Sequence, residues 1–371
     1  MAKWKMTAVT MILFALMVQS SAWAAAPAVS VEPKDETDAV AVGDDAADDP
    51  AIWVHPADKS KSRVIATNKG GGLLVYDLDG NQLYSYTTGK MNNIDVRYDF
   101  PLGKTKVDIA AATNRTTNTI DIYSIDKTTG GLTNISGTPI VSHAAEVYGF
   151  ALYHSLRSGK FYALVTGKDG EFEQYELTHN GAGKDNGTLV RTFTTATQSE
   201  GLVADDEYGY MYLAEEDAAI WKYDAEPNGG TAPLRKVDSA DGNHLTADIE
   251  GLTIYYGDDG EGYLLASSQG NSTYAVYERE DDNDYVASFK VVDHGGVDGV
   301  SGTDGIDVLS FGLGSKYPHG IFVTQDDENL QNGTIINQNF KYVDWERIAD
   351  EADLDTDDDV DPRELRKRSR D

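Results

Sequence analysis

Short apolar runs recur along the chain, separated by acidic turns that contain Gly or Asn. The stretch Gln198–Asp217 shows the unit most fully. Glu200 opens it, an apolar run follows, and an acidic turn ends at Gly209. Tyr210–Ala214 is a second apolar run closed by Glu215 and Glu216, and Ala219–Tyr223 begins a third. Runs this short, rich in aromatic and β-branched residues, predict half-buried strands. The unit therefore reads as strand, hairpin, strand, loop, strand, with carboxylates at matching strand ends.

The same phrase appears five more times. Asp49–Val54 precedes Val64–Thr67, Asn93–Arg97 precedes Val107–Thr113, and Glu146–Tyr153 precedes Lys160–Thr166. Asp248–Tyr256 precedes Gly262–Ser268, and Thr303–Leu309 precedes Gly320–Gln325. With Asp49, Asp95, Glu146, Glu200, Glu250 and Asp304 as phase markers, the units repeat every 46 to 54 residues. One small sheet of this kind cannot bury both faces alone. Six in succession predict an all-β, six-bladed β-propeller. A parallel β-helix has shorter repeats and fits less well.

The ends of the chain differ from its middle. Residues 1–26 have a basic start, an apolar stretch and a close in small residues, which predicts a secretory signal peptide cleaved after Ala24 or Ala26. The apolar stretch is too short for a membrane anchor. Residues 27–36 read as a flexible leader, 37–350 as the propeller, and 351–371 as an acidic, then basic, surface tail. Asp353–Glu364 has carboxylates at several positions of an EF-hand loop, but Asp358 stands where that loop turns on Gly. The product expected is exported, periplasmic or extracellular, and monomeric.

The chain has no cysteine and a formal charge of −31, or −33 without Lys3 and Lys5. Such acidity disfavours nucleic acid and anionic membranes as partners. The absence of cysteine excludes thiolate-dependent phosphatase chemistry. None of the seven histidines, His55, His143, His154, His179, His244, His294 and His319, sits beside an arginine as a histidine phosphatase requires, and their scatter disfavours zinc.

In a propeller, the same strand end of every blade meets around one mouth. The loops after the second strands offer Lys69, Arg115 and Lys168 from the first three units and Glu215 and Glu216 from the fourth. The strand entries add Glu200, Asp248, Glu250, Asp298 and Asp304. One half of the mouth is thus expected to be basic and the other acidic. Any one acid alone reads as a solvated turn charge; the phased set reads as a convergent site. Clustered carboxylates raise one another's pKa unless a cation joins them, and oxygen donors on loops suit Ca²⁺. Lysine and arginine opposite suit a phosphate or carboxylate anion.

Several long phrases resemble the β-propeller (alkaline) phytases: Asp48–His55, Asn92–Pro101, Tyr148–Ser155, Leu164–Tyr175, Ala214–Asp217, Asp248–Tyr256, Leu264–Asn271 and Thr303–Val308. The resemblance spans about residues 36 to 350. It implies several bound Ca²⁺ ions and stepwise hydrolysis of phytate, as its calcium salt, by a metal-held water in the manner of a 3-phytase. It places Lys69, Arg115, Tyr148 and Lys168 on phosphate. It places Glu200, Glu216, Asp248, Glu250 and Asp304 on calcium at the cleavage site, with Asp298 nearby. Asp49, Pro50, Ile94 and Asn329 are implied to form a separate stabilising calcium site, with Asp45 contributing. Some relatives carry a second lysine where this chain has Gly70. The alternatives are a calcium-dependent lactonase or phosphotriesterase propeller, against which the three cations argue, and a non-catalytic calcium-dependent binding propeller.

Overall fold

A computed structural model describes Met1 and residues 27–43 and 45–370. The expected signal peptide lies outside the described residues. Among the described residues, six sheets of four or five strands follow one another around a central channel, antiparallel but for one added strand, and a two-stranded hairpin, Leu330–Gln331 with Thr334–Ile335, stands apart. Blade one comprises Ala47–Trp53, Arg63–Asn68, Gly72–Tyr76 and Gln82–Thr87. Blades two to five begin with Met91–Leu102, Val147–Ser155, Ser199–Asp205 and Ile249–Tyr256. Blade six is Ile306–Leu309, Ile321–Asp326 and Asn339–Asp344.

The ring closes with a strand from the other end of the chain. Asp35–Glu36 pairs antiparallel with Tyr342 and Lys341, giving blade six its outer strand. Val29–Val31 adds a parallel fifth strand to blade five, against Phe289–Val291. Residues 27–36 are therefore not the flexible leader that composition predicts. Val31 is 1 % exposed. It packs into the apolar seam between blades five and six with Phe289, Phe322 and Trp345. A pair of valines beside an open sheet edge outweighs the Ala/Pro character of the flanking residues.

The tail also differs from expectation. The helix Trp345–Ala352 ends the propeller, and the chain then crosses the face opposite the candidate site as a strap. Its backbone is held by Tyr255, whose hydroxyl donates to Asp357 O at 2.8 Å and accepts from Asp357 N at 2.7 Å. Arg363 places Nη2 2.7 Å from the buried Asp108 carboxylate and 2.6 Å from Val54 O. Arg370 pairs with Asp224 of blade four. Pro362 and Leu365 line the channel cavity. The acidic side chains stay largely at the surface, as expected, but the backbone is fixed.

Apolar side chains fill the seams between neighbouring blades. Each fully buried large apolar side chain contributes about 1.5–3 kcal/mol relative to exposure.

Candidate active site

The inner strands of the first five blades carry a β-bulge at the same height. Two residues face one across the ladder at Asp48–Asp49, Asn92–Asn93, Tyr148–Gly149, Glu200–Gly201 and Glu250–Gly251. Asp304–Gly305 occupies the corresponding place just before the inner strand of blade six. A bulge re-aims a side chain that would otherwise alternate into a face, and here the first bulge residue turns toward the mouth. In blades three to six glycine follows, because neighbouring blades approach closely there, whereas blades one and two carry Asp49 and Asn93. A Cβ on Gly149 would sit 1.9 Å from Glu200 O, and one on Gly201 would sit 2.4 Å from Glu250 O. From blade three through blade six to blade one, the strand entries are thus held in close backbone contact.

Carboxylates from three elements converge. Single oxygens of Glu200, Glu216 and Glu250, all buried, lie within 4.8 Å of one another. Burial, then the charges of Glu200, Asp248 and Asp217, push Glu216 up to about 7, although Gln198 donates to both its oxygens at 2.9 and 2.8 Å. Burial and the neighbouring Glu200 hold Glu250 well above the usual carboxylate range, and its Oε2 has no hydrogen-bond partner. Burial and the same two glutamates raise the Tyr148 hydroxyl. Asn92 Nδ2 donates to Glu200 Oε1 at 2.7 Å. Asp248 lies at the edge of this group, beside Asp217, with its own carboxyl raised by partial burial and then by Asp217.

The cations face the same space. Lys168 Nζ stands 4.5 Å from the centre of the Tyr148 ring, and Arg115 Cζ stands 5.9 Å from it. Arg115 also reaches Asn92 Oδ1 at 3.3 Å and Glu146 Oε1 at 2.6 Å. Lys69 lies among acids instead: Asp45 at 2.6 Å, Asp304 at 2.9 Å and Asp48 at 3.4 Å. Burial alone would lower its ammonium, but Asp48, Asp304 and Asp45 outweigh that and raise it. Burial pushes Asp304 and Asp48 up to about 7, with Lys69 the chief influence holding each down. The expected clean division into basic and acidic halves is therefore corrected, because a buried lysine cannot stand apart from counter-charge.

The sequence profile of the phytase family matches residues 3–368. A 3-phytase of Bacillus subtilis (strain 168) is 60 % identical over 340 residues, covering 90 % of this chain and 89 % of that protein. The chain belongs to the phytase family. A luciferin-regenerating enzyme structure, 12 % identical, superposes with a TM-score of 0.51 over 84 % of this chain and 95 % of that one, which supports the propeller fold alone.

Against the residues implied for this family, the structure brings Tyr148, Arg115, Lys168, Glu200, Glu216 and Glu250 to one mouth. Asp248 lies at its border, and Lys69, Asp45 and Asp304 form the adjoining group. Asp49, Pro50 and Ile94 line the central channel cavity, of about 120 Å³, where Ile94 N donates to Asp49 Oδ2 at 2.9 Å. Asn329 makes its contacts elsewhere, with Asn337 O at 2.8 Å and Lys341 Nζ at 3.4 Å. Asp298 pairs with the same Lys341, along with Glu36 at 2.5 Å and Asp326 at 3.3 Å. Asp298 is thus drawn to a buried ammonium rather than to the glutamate cluster.

Sequence reasoning did not single out Asp48, Asn92, Gln198 or Gln269 as site residues. Gln269 donates to Asp304 as Gln198 does to Glu216. Asp48 and Asn92 could have been found by phasing on the bulge, since each stands where Glu200 and Glu250 stand. The glutamines also hold repeated positions: Gln269 follows its second strand as Lys69, Arg115, Lys168 and Glu216 do, and Gln198 stands two residues before its bulge as Glu146 and Asp248 do, but a neutral amide carries no charge to single it out.

Proposed function

We propose that this protein is a calcium-dependent phosphoric monoester hydrolase that removes phosphates from phytate in steps, as a 3-phytase does. Membership of the phytase family and the 60 % identical 3-phytase support the reaction class. The observation that carries the calcium reading is the group of three buried glutamates with an unpartnered Glu250 oxygen. Three like charges so close cannot all stay ionised without a cation, and an all-oxygen donor set suits Ca²⁺. Glu200, Glu216 and Glu250 would hold it, with Asp248 and Asp304 at the margin. Bound calcium supplies positive charge against phosphoryl oxygens and lowers the pKa of water at the site.

The chain's own groups supply the rest. Arg115 and Lys168 hold phosphate oxygens from one side of the mouth and oppose their charge. The Tyr148 ring packs beneath both cations, and its raised hydroxyl stays protonated as a donor. Asn92 ties Arg115 to Glu200, so the anion side and the carboxylate side share one position. Phytate enters as its calcium salt, which brings this acidic mouth a neutralised substrate. The protein acts as an exported monomer. Phosphate release from phytate, followed with calcium and then with excess chelator, tests the reading. Release that survives full chelation removes the calcium requirement, and no release under either condition removes the phytase reading.

A further inference from the structure

The Nε/Nη2 edge of Arg115 is already taken. One Glu146 oxygen, Oε1, takes both Nε at 2.6 Å and Nη2 at 2.5 Å, and Asn92 Oδ1 takes Nη1 at 3.3 Å. The Nε/Nη2 edge is one that a guanidinium offers to two oxygens of a phosphate. Glu146 differs from the other carboxylates of the mouth. Its side chain is 42 % exposed, whereas Glu200, Glu216 and Glu250 are all buried. It stands in the bend before the inner strand of blade three, and its carboxylate pairs with Arg115 while its backbone is held separately, where Lys168 N donates to Glu146 O at 3.2 Å. Its carboxylate can swing to solvent without disturbing the loop that carries Lys168.

We propose that Glu146 is a gate on the phosphate site: its carboxylate occupies Arg115 when the mouth is empty, and an incoming phosphate must displace it. This rests on the reading that Arg115 binds phosphate. The consequence is selective. A dianionic phosphate held by several groups at once displaces Glu146, whereas a weak or singly charged anion does not. After cleavage, the returning carboxylate competes with inorganic phosphate and hastens its release. Glu146 is a specificity-determining residue here, not a catalytic one, since it leaves as the substrate arrives.

The test is a double-mutant cycle read by phosphate inhibition. The Ki of inorganic phosphate, with the KM and kcat for phytate, is measured at one fixed calcium concentration in wild type, Glu146→Gln, Arg115→Ala and the double variant. Removing a part-exposed ion pair that competes with the ligand should lower the phosphate Ki and the phytate KM of Glu146→Gln by roughly two- to fivefold. The kcat should not rise, and the gain should vanish in the Arg115→Ala background. A phosphate Ki that stays or climbs in Glu146→Gln overturns the gate, and so does an equal drop without Arg115. A structural role alone would lower kcat and leave Ki in place, which also counts against it. Failure of the underlying phosphate-site reading shows separately, as an Arg115→Ala protein whose phosphate Ki matches wild type.

Discussion

Replacing Lys69 with alanine isolates the electrostatic balance of the mouth. The Lys69 side chain is 14 % exposed, and its ammonium sits within 2.6 to 3.4 Å of Asp45, Asp48 and Asp304. Asp48 is 1 % and Asp304 8 % exposed, and Asp48 Oδ2 already lacks a partner. Without Lys69, two buried carboxylates lose their main counter-charge. Breaking a buried pair from one side costs about 3–5 kcal/mol. With unfolding entropy scaling by chain length, that is a fall in melting temperature of about 4–7 °C for a domain of this size. Both carboxyls are already at about 7 with the lysine present. A raised folded-state value means stability falls as pH climbs from the unfolded value near 4 toward the folded one. The loss should therefore be smaller at pH 5.5 than at pH 8. The assay is thermal unfolding of chelated wild type and Lys69→Ala at both pH values, repeated in excess calcium. Calcium should narrow the gap by supplying the missing positive charge. A chelated variant that melts within 1 °C of wild type at pH 8 would refute the reasoning.

Gly201→Ala should cost about 1–3 kcal/mol, the usual penalty of overpacking, because its Cβ would fall 2.4 Å from Glu250 O. Calorimetry and steady-state kinetics should show stability and kcat falling together. Arg363→Met leaves the buried Asp108 with Trp53 at 2.9 Å, Lys127 at 3.2 Å and the Asp99 amide at 3.5 Å, none of which replaces the paired guanidinium. Its melting temperature should drop while kcat/KM for phytate holds, which separates the strap from the mouth; an unchanged melting temperature would mean the strap adds nothing. Chelated wild type should lose stability between pH 5 and 8 as Glu216, Asp304 and Asp48 ionise near 7. Glu216→Gln should flatten that slope in pH-dependent denaturant titrations, and an equal slope in both proteins would contradict the assignment.

The propeller was legible because each blade repeats an acid, an apolar run and a turn. Its phase was legible only in part. Asp49, Asp95 and Glu146 mark the first three units in the sequence, but the bulge residues equivalent to Glu200 are Asp48, Asn92 and Tyr148. A bulge sets two residues against one, so spacing alone does not say which of the pair faces the mouth. Asp95, for example, turns toward the channel and pairs with Arg97 at 2.8 Å. Composition also misdescribed residues 27–36 and did not show how the tail is anchored. Whether Val29–Val31 pairs or floats depends on an open edge about 260 residues away in sequence. The anchoring of the acidic tail depends on Arg363 meeting Asp108 from blade two. The position of Lys69 among acids is likewise a tertiary fact, because two of its partners come from a loop and a bulge of blade one and the third from blade six.

The central claim is that Glu200, Glu216 and Glu250 hold calcium for the hydrolysis of phytate. Its most direct measurement is isothermal titration of calcium into chelator-stripped wild type and Glu250→Gln. The variant should bind at least one fewer calcium ion, yet melt no lower than wild type in chelator, since a repelling charge has been removed. The same number of ions bound at the same affinity by both proteins would contradict the claim.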